Sequence, residues 1–334
     1  MKYLAAGSVL LVALATALAA REPAQSLAQM PQGQSTQSAV FRAGASLVAL
    51  NVTVTDGKRF VPGLQQRDFA VYEDGVQQQV QFFESRSVPV DLILLLDTSS
   101  SMRDKMGVVH EAALGFLKTL REGDRGAVVA FSSAVNVLQP LTSDRAALDA
   151  AVRKTQAYGS TALNNALYVA MKQFGRAAQQ SGDVRRQAIA VLSDGQDTSS
   201  LISFDDVLAM ARKSGIDIYT IGLQSEYTAA RRLAENSRRY YSESDYALKT
   251  LARETGGQAF FPEFLQDLKG VYAAIADELS NQYSIGYSPS NPRPDGRFRR
   301  IVVRLTNHPE FQPRARAGYT ADGIATATTA GRRH

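Results

Sequence analysis

Asp97, Ser99 and Ser101 in DTSSS, Thr161 in YGSTAL and Asp194 in VLSDG carry oxygen-bearing side chains in three separated stretches. Carboxylates and alcohols, with no Cys or His among them, suit a hard cation, Mg²⁺ above all, with Mn²⁺ or Ca²⁺ as alternatives. Each residue also has a plainer reading. Ser99 and Ser101 fit as caps of a helix starting near Arg103, and Thr161 as the cap of a helix from 162. Asp194-Gly195 fits as a strand-to-helix turn. Independent caps do not account for the order and spacing of the whole set, and a metal site does.

The elements that must position these residues are legible around them. The runs LILLL at 92–96 and AIAVL at 188–192 directly precede the first and third stretches. Such runs read as strands of a parallel sheet buried on both faces. A hydroxyl- and carboxylate-rich turn at the carboxyl end of such a strand is where open α/β sheets bind ligands. Further strands are expected at 126–131, 216–221 and 258–261, and helices at 105–120, 146–152, 162–174, 204–213, 246–254 and 265–281. Repeated βα units imply a doubly wound, mostly parallel sheet. A polar stretch at 224–245 is expected as a surface insertion between the last units.

The flanks read differently. Strand composition occurs at 47–55, 69–72 and 76–83, and again at 283–287, 298–305 and 314–319, with a Pro-rich loop at 288–296. Each β segment has too few strands to stand alone. The two are expected to pair into one small β-sandwich, with the α/β domain inserted between them. The expected organisation is a signal peptide at 1–20, a flexible linker at 21–39, β segments at 40–88 and 283–320 around an α/β domain at 89–282, and a disordered tail at 321–334.

Composition narrows the function. Of 334 residues, 45% are hydrophobic and 21% charged, ordinary for a globular chain with a sizeable core. There is no Cys, which removes thiol nucleophiles, disulfides and zinc-thiolate sites, and the three His lie in no hydrolase motif. The start, MKYLAAGSVLLVALATALAA, has the positive residue, apolar run and small-residue cleavage site of a secretory signal. A periplasmic or extracellular protein is expected, with no stable membrane span after cleavage. The formal charge of +5 gathers in Arg pairs at 231–232 and 238–239 and in runs at 297–300 and 314–316. No groove-reading motif accompanies them, so they are read as solvated arginines and not as a nucleic-acid surface.

The set D-x-S-x-S (Asp97, Ser99, Ser101), then Thr161, then S-D-G (Asp194-Gly195) resembles the metal-ion-dependent adhesion site (MIDAS) of von Willebrand factor A-type (VWA) domains, over about residues 88–283. The flanking segments, such as Glu73-Asp74-Gly75, Thr255-Gly256-Gly257 and Arg316-Ala317-Gly318-Tyr319, resemble those of bacterial exported VWA-related proteins. The resemblance implies Ser99, Ser101 and Thr161 as direct ligands, with Asp97 and Asp194 close by and at least one acting through water. Few directly bound anions leave such a cation attractive to an Asp or Glu of a partner protein. Met102, Arg103, Lys105, Tyr158, Gly159 and Asp197 are the candidates for the rim of that binding face. Three functions compete: an adhesion-type binding module, a structural subunit of an envelope or secretion assembly, and a metal-dependent hydrolase. The last lacks an evident general base.

Overall fold

Alternation of apolar and polar residues opens the described chain and produces β1 (Val48–Asp56), whose inward positions Val48, Leu50, Val52 and Val54 are buried. The computed structural model describes residues 47–57, 59–85, 88–178, 185–194, 196–223 and 242–321. The expected signal peptide and linker, most of the 224–245 insertion and the tail beyond 321 lie outside the described residues. After β1 come β2 (Arg59–Phe60), β3 (Phe69–Glu73), β4 (Val76–Gln78) and β5 (Val80–Glu84). The α/β part follows with β6 (Val90–Asp97), α1 (Met106–Lys118), β7 (Arg125–Phe131), β8 (Val135–Thr142), α2 (Arg145–Arg153) and α3 (Leu163–Ala178). It continues through β9 (Arg186–Ser193), α4 (Phe204–Ser214), β10 (Asp217–Gly222), α5 (Glu243–Thr255), β11 (Ala259–Phe260) and α6 (Leu268–Asn281). The chain then returns to β with β12 (Tyr283–Tyr287), β13 (Phe298–Leu305), β14 (Gln312–Arg314) and β15 (Gly318–Thr320).

Every residue of β6 is buried, because the sheet is covered on both sides. Leu92, Leu94 and Leu96 point to a core shared with α1, α2 and α6, while Ile93 and Leu95 point to one shared with α3, α4 and α5. The strand order is β11-β10-β9-β6-β7-β8, with every pair parallel except the last. The edge strand β8 escapes the periodicity-based reading. Its residues alternate half-buried with exposed over most of its length, and it contains Pro140, which an edge tolerates. The central pair β6 and β9 sends its following helices, α1 and α4, to opposite faces. The carboxyl ends of these two strands therefore form the topological switch point, where doubly wound sheets open a crevice.

The flanking strands form a second, antiparallel body. One sheet runs β14-β1-β12-β5 with β2 attached to β1, and the other runs β15-β13-β3-β4. Strands from before and after the α/β part interleave: β1 pairs with β12 and β14, and β3 with β13. Phe69, Phe83 and Tyr283 meet between the sheets with ring centroids 5.1–5.9 Å apart. Two expected strands are each split. Residues 76–83 divide at Gln79 into β4 and β5, and residues 314–319 divide into β14 and β15, the halves going to opposite sheets. Short segments that turn a corner let few residues serve both layers.

The sandwich meets the amino end of the central sheet. Asn51 of β1 donates its Nδ2–H to Asp217 Oδ2 at 3.0 Å, and Gln282, between α6 and β12, donates to the same oxygen at 3.1 Å. Some arginines expected to be solvated serve this body instead. Arg299 is 6% exposed and pairs with Asp295 at 2.9 Å, and Arg314 pairs with Glu278 at 2.5 Å. A sandwich of short strands has little apolar area to spare, so its long cationic side chains are drawn into pairing.

Candidate metal centre

Asp97 closes β6 and is fully buried. The turn that follows is anchored to the neighbouring strand: Thr98 donates its N–H at 2.7 Å and its hydroxyl at 3.0 Å to Phe131 O at the end of β7. Ser99 is extended (φ −67, ψ 165) and precedes a 3₁₀ turn, Ser100–Lys105, that leads into α1. It stands at the N-cap position, yet its hydroxyl makes no capping bond. It lies instead 3.0 Å from Ser101 Oγ, which in turn donates to Asp194 Oδ1 at 2.7 Å. Asp97 accepts from Ser99 N–H at 2.8 Å on one oxygen and from Ser193 Oγ at 2.6 Å on the other. Burial pushes the Asp97 carboxyl above the usual carboxylate range; the Ser193 and Ser99 hydrogen bonds pull it back, and the nearby Asp194 charge pushes it further up.

Thr161 arrives on a separate loop that is laced to the first. Tyr158 N–H donates to Thr98 O at 2.8 Å, and Ser100 N–H donates to Gly159 O at 3.0 Å. Gly159 has φ +76, a backbone conformation that favours glycine, and a Cβ there would in addition push aside the Ser133 hydroxyl. Thr161 is 5% exposed; its carbonyl accepts from Thr198 N–H at 2.8 Å and Ser199 N–H at 3.1 Å. The start of α3 is capped by Asp197, which accepts from Asn164 N–H at 2.7 Å. The cap thus comes from the loop after β9, and that role does not fall to Thr161.

The order of strands, the switch point and the three loops agree with a comparison of sequences: the family described as von Willebrand factor type A domain matches residues 91–254. The chain carries a VWA domain. Among curated proteins it is similar to the UPF0353 proteins of Mycolicibacterium paratuberculosis and Mycobacterium marinum. Each is 28% identical over 225 residues, covering 63% of this chain and 66% of the relative. The chain therefore spans just under two thirds of the length of those relatives. Among solved structures it is similar to a von Willebrand factor type A protein from Catenulispora acidiphila, with 16% identity, TM-score 0.48 and coverage of 82% of this chain and 72% of that one. It is also similar to the vWF domain of the type V pili tip protein Mfa5 from Porphyromonas gingivalis, with 17% identity, TM-score 0.44 and coverage of 57% and 95%.

The donor set of this VWA domain fits a small divalent cation. Ser99, Ser101 and Asp194 present hard oxygen donors close together, with Ser99 Oγ 3.0 Å from Ser101 Oγ and Ser101 Oγ 2.7 Å from Asp194 Oδ1, and neutral alcohols with a carboxylate are the donor types that Mg²⁺ accepts. Among the described residues no group of three or more His, Cys, Asp or Glu could hold a metal, so the hydroxyl-rich set stands by itself. Ser99, Ser101 and Asp194 are brought into direct contact, Asp97 is anchored behind them, and Thr161 sits on the loop laced to theirs.

The expected rim needs three corrections, at Met102, Asp197 and Lys105. Met102 is 0% exposed and packs in the core with α1, because the 3₁₀ turn carries it inward. Asp197 is half-buried, with its carboxylate committed to Asn164 N–H and to Ser200 N–H at 2.9 Å. Arg103 and Gly159 are exposed, and Tyr158 is 52% exposed. Two residues near these loops escaped sequence reasoning, and one rim candidate faces the other way. Ser193 orients Asp97, and Leu201 stands 95% exposed on the loop after β9. Lys105 turns inward from its expected place on the rim to pair with Asp194. Ser193 is the serine of S-D-G itself, directly before Asp194, and was readable there; nothing in the pattern marked Leu201 or the inward turn of Lys105.

Proposed function

We propose that the chain is an exported, adhesion-type binding module that captures an Asp or Glu of a partner protein through a divalent cation, Mg²⁺ in first place. Ser99, Ser101 and Thr161 would hold the cation directly, with Asp97 and Asp194 behind or beside them. The cation would supply a Lewis-acidic coordination position that a partner carboxylate completes. The observation that carries the reading is the chain of close oxygens from Ser99 through Ser101 to Asp194, set at the switch point of the sheet. A hydrolytic role finds no histidine base at the site among the described residues: His110 bonds Thr155 Oγ1 at 2.6 Å midway along α1, and His308 lies in the sandwich beside Glu310. Exposed Tyr158, on the loop laced to the Asp97 turn, gives a partner apolar area beside the site.

Calorimetric titration of the purified chain with Mg²⁺ is the deciding experiment. One equivalent of uptake is expected, and Thr161→Ala should weaken it at least about tenfold, roughly 1.4 kcal/mol, while far-UV circular dichroism is unchanged. Retention of the chain on native envelope material should disappear with EDTA and in the same variant. No uptake of Mg²⁺, Mn²⁺ or Ca²⁺ by the wild-type chain would sink the reading.

A further inference from the structure

Lys105 stands four residues after Ser101, at the end of the 3₁₀ turn and at the N-cap of α1. A lysine there is badly placed for the helix, whose amino end carries positive potential and favours an anion. Its ordinary escape is into solvent. Here its side chain is only 14% exposed and its ammonium pairs with Asp194 Oδ2, on a carboxylate whose side chain is 0% exposed. The other oxygen, Oδ1, takes the Ser101 hydroxyl at 2.7 Å. The two oxygens of Asp194 are thus divided between a proposed metal ligand and a fixed organic cation. Burying a flexible lysine costs side-chain entropy and desolvation, and the pair persists because Asp194 without it is a buried carboxylate with no cation to offset its charge and, among the described residues, only the Ser101 hydroxyl as partner.

We propose that Lys105 is a resident counter-ion for the metal centre, exchanging with the divalent cation at Asp194. The inference rests on the metal-site reading above. Two cations at one buried carboxylate repel each other strongly at a separation of a few ångströms, where the surroundings screen poorly. Entry of the divalent ion and departure of the ammonium are therefore one event. Without the divalent ion, Asp194 is neutralised internally and the domain is stable but has no cation to offer a partner. With it, Lys105 swings out beside exposed Arg103 and adds positive charge to the face that receives an acidic side chain. Lys105 thereby sets the divalent concentration at which the module becomes adhesive, and it discriminates against cations too weakly charged to displace it.

The test compares the wild-type chain with Lys105→Met, which keeps the length of the stem and removes the charge. Mg²⁺ affinity by calorimetry should rise about tenfold in the variant. The variant should melt below wild type in EDTA and lose that deficit in saturating Mg²⁺. An unchanged or weaker affinity, with the same melting deficit in both buffers, overturns the exchange and leaves an ordinary ion pair. Absence of divalent uptake by either chain overturns the metal-site reading itself and this inference with it. Should Lys105→Met fail to fold, acetylation of Lys105 in the wild-type chain, followed by mass spectrometry, reads the same event. Its rate should rise severalfold on adding Mg²⁺, and an unchanged rate overturns the proposal.

Discussion

At the scale of single residues, the site depends on backbone positions as much as on its ligands. Gly159 holds the Thr161 loop against the Asp97 loop through its carbonyl, and a side chain there would press on Ser133. Gly159→Ala should cost about 1–3 kcal/mol through the left-handed backbone and the clash. It should also weaken Mg²⁺ uptake without touching a ligand. Denaturant unfolding and calorimetry check both, and a variant as stable as wild type with unaltered uptake contradicts the argument. The oxygen set was legible because its chemistry needs particular residue types at the ends of two recognisable strands. The inward turn of Met102 and Lys105 was not, because a 3₁₀ turn shifts the facing of each residue relative to the α-helical spacing assumed for 105–120. Asp197 misled for a related reason: a carboxylate near a site reads as a rim residue until the helix it caps is placed in space.

At the scale of elements, the sandwich and the VWA domain are joined through polar groups at the end of α6. Glu278 is 2% exposed; it accepts from Tyr219 Oη at 2.8 Å and Thr53 Oγ1 at 3.2 Å, and pairs with Arg314 at 2.5 Å. Arg314 also donates to the carbonyls of Gly256 and Gly257, each at 2.6 Å, at the end of α5. One arginine of β14 thus ties two helices of the α/β part to the sandwich. Arg314→Ala leaves a buried carboxylate without its cation and should destabilise by about 3–5 kcal/mol. Glu278→Gln in the same chain should recover part of that loss, and a double variant no better than the single one rules out the pairing as the cause. The pairing of the two β segments was readable from their shortage of strands. The splitting of 76–83 and 314–319 was not, since alternation continues through a corner where the chain changes sheets. The role of Arg314 was hidden as well, because a basic run looks the same in sequence whether it meets water or a glutamate 36 residues earlier.

At the scale of the whole molecule, Asp217 couples folding to pH. It begins β10, is 4% exposed, and receives hydrogen bonds from Asn51 of β1 and from Gln282 just before β12. Burial pushes its pKa up to about 7; those two hydrogen bonds and the charge of Arg314 oppose the rise, and the charge of Glu278 adds to it. Arg186 also feels its charge, and Tyr219 lies in the same network through Gln282. A carboxyl whose folded pKa is raised binds its proton more tightly in the folded chain than in the unfolded one. Its stabilising contribution is complete below the unfolded value of about 3.9 and is lost as pH rises through about 7. By linkage the loss is on the order of 4 kcal/mol at most. Asp217→Asn keeps an acceptor for Asn51 and Gln282 and cannot ionise. The stability of wild type relative to this variant should therefore fall by a few kcal/mol between pH 5 and pH 8 and stay level above that, as read from denaturant midpoints. A difference independent of pH would mean that Asp217 stays ionised at the join. If the difference does move, alkaline conditions loosen the seat of the sandwich at the end of the sheet opposite the candidate metal centre, because the groups that hold Asp217 belong to β1 and to the entry of β12.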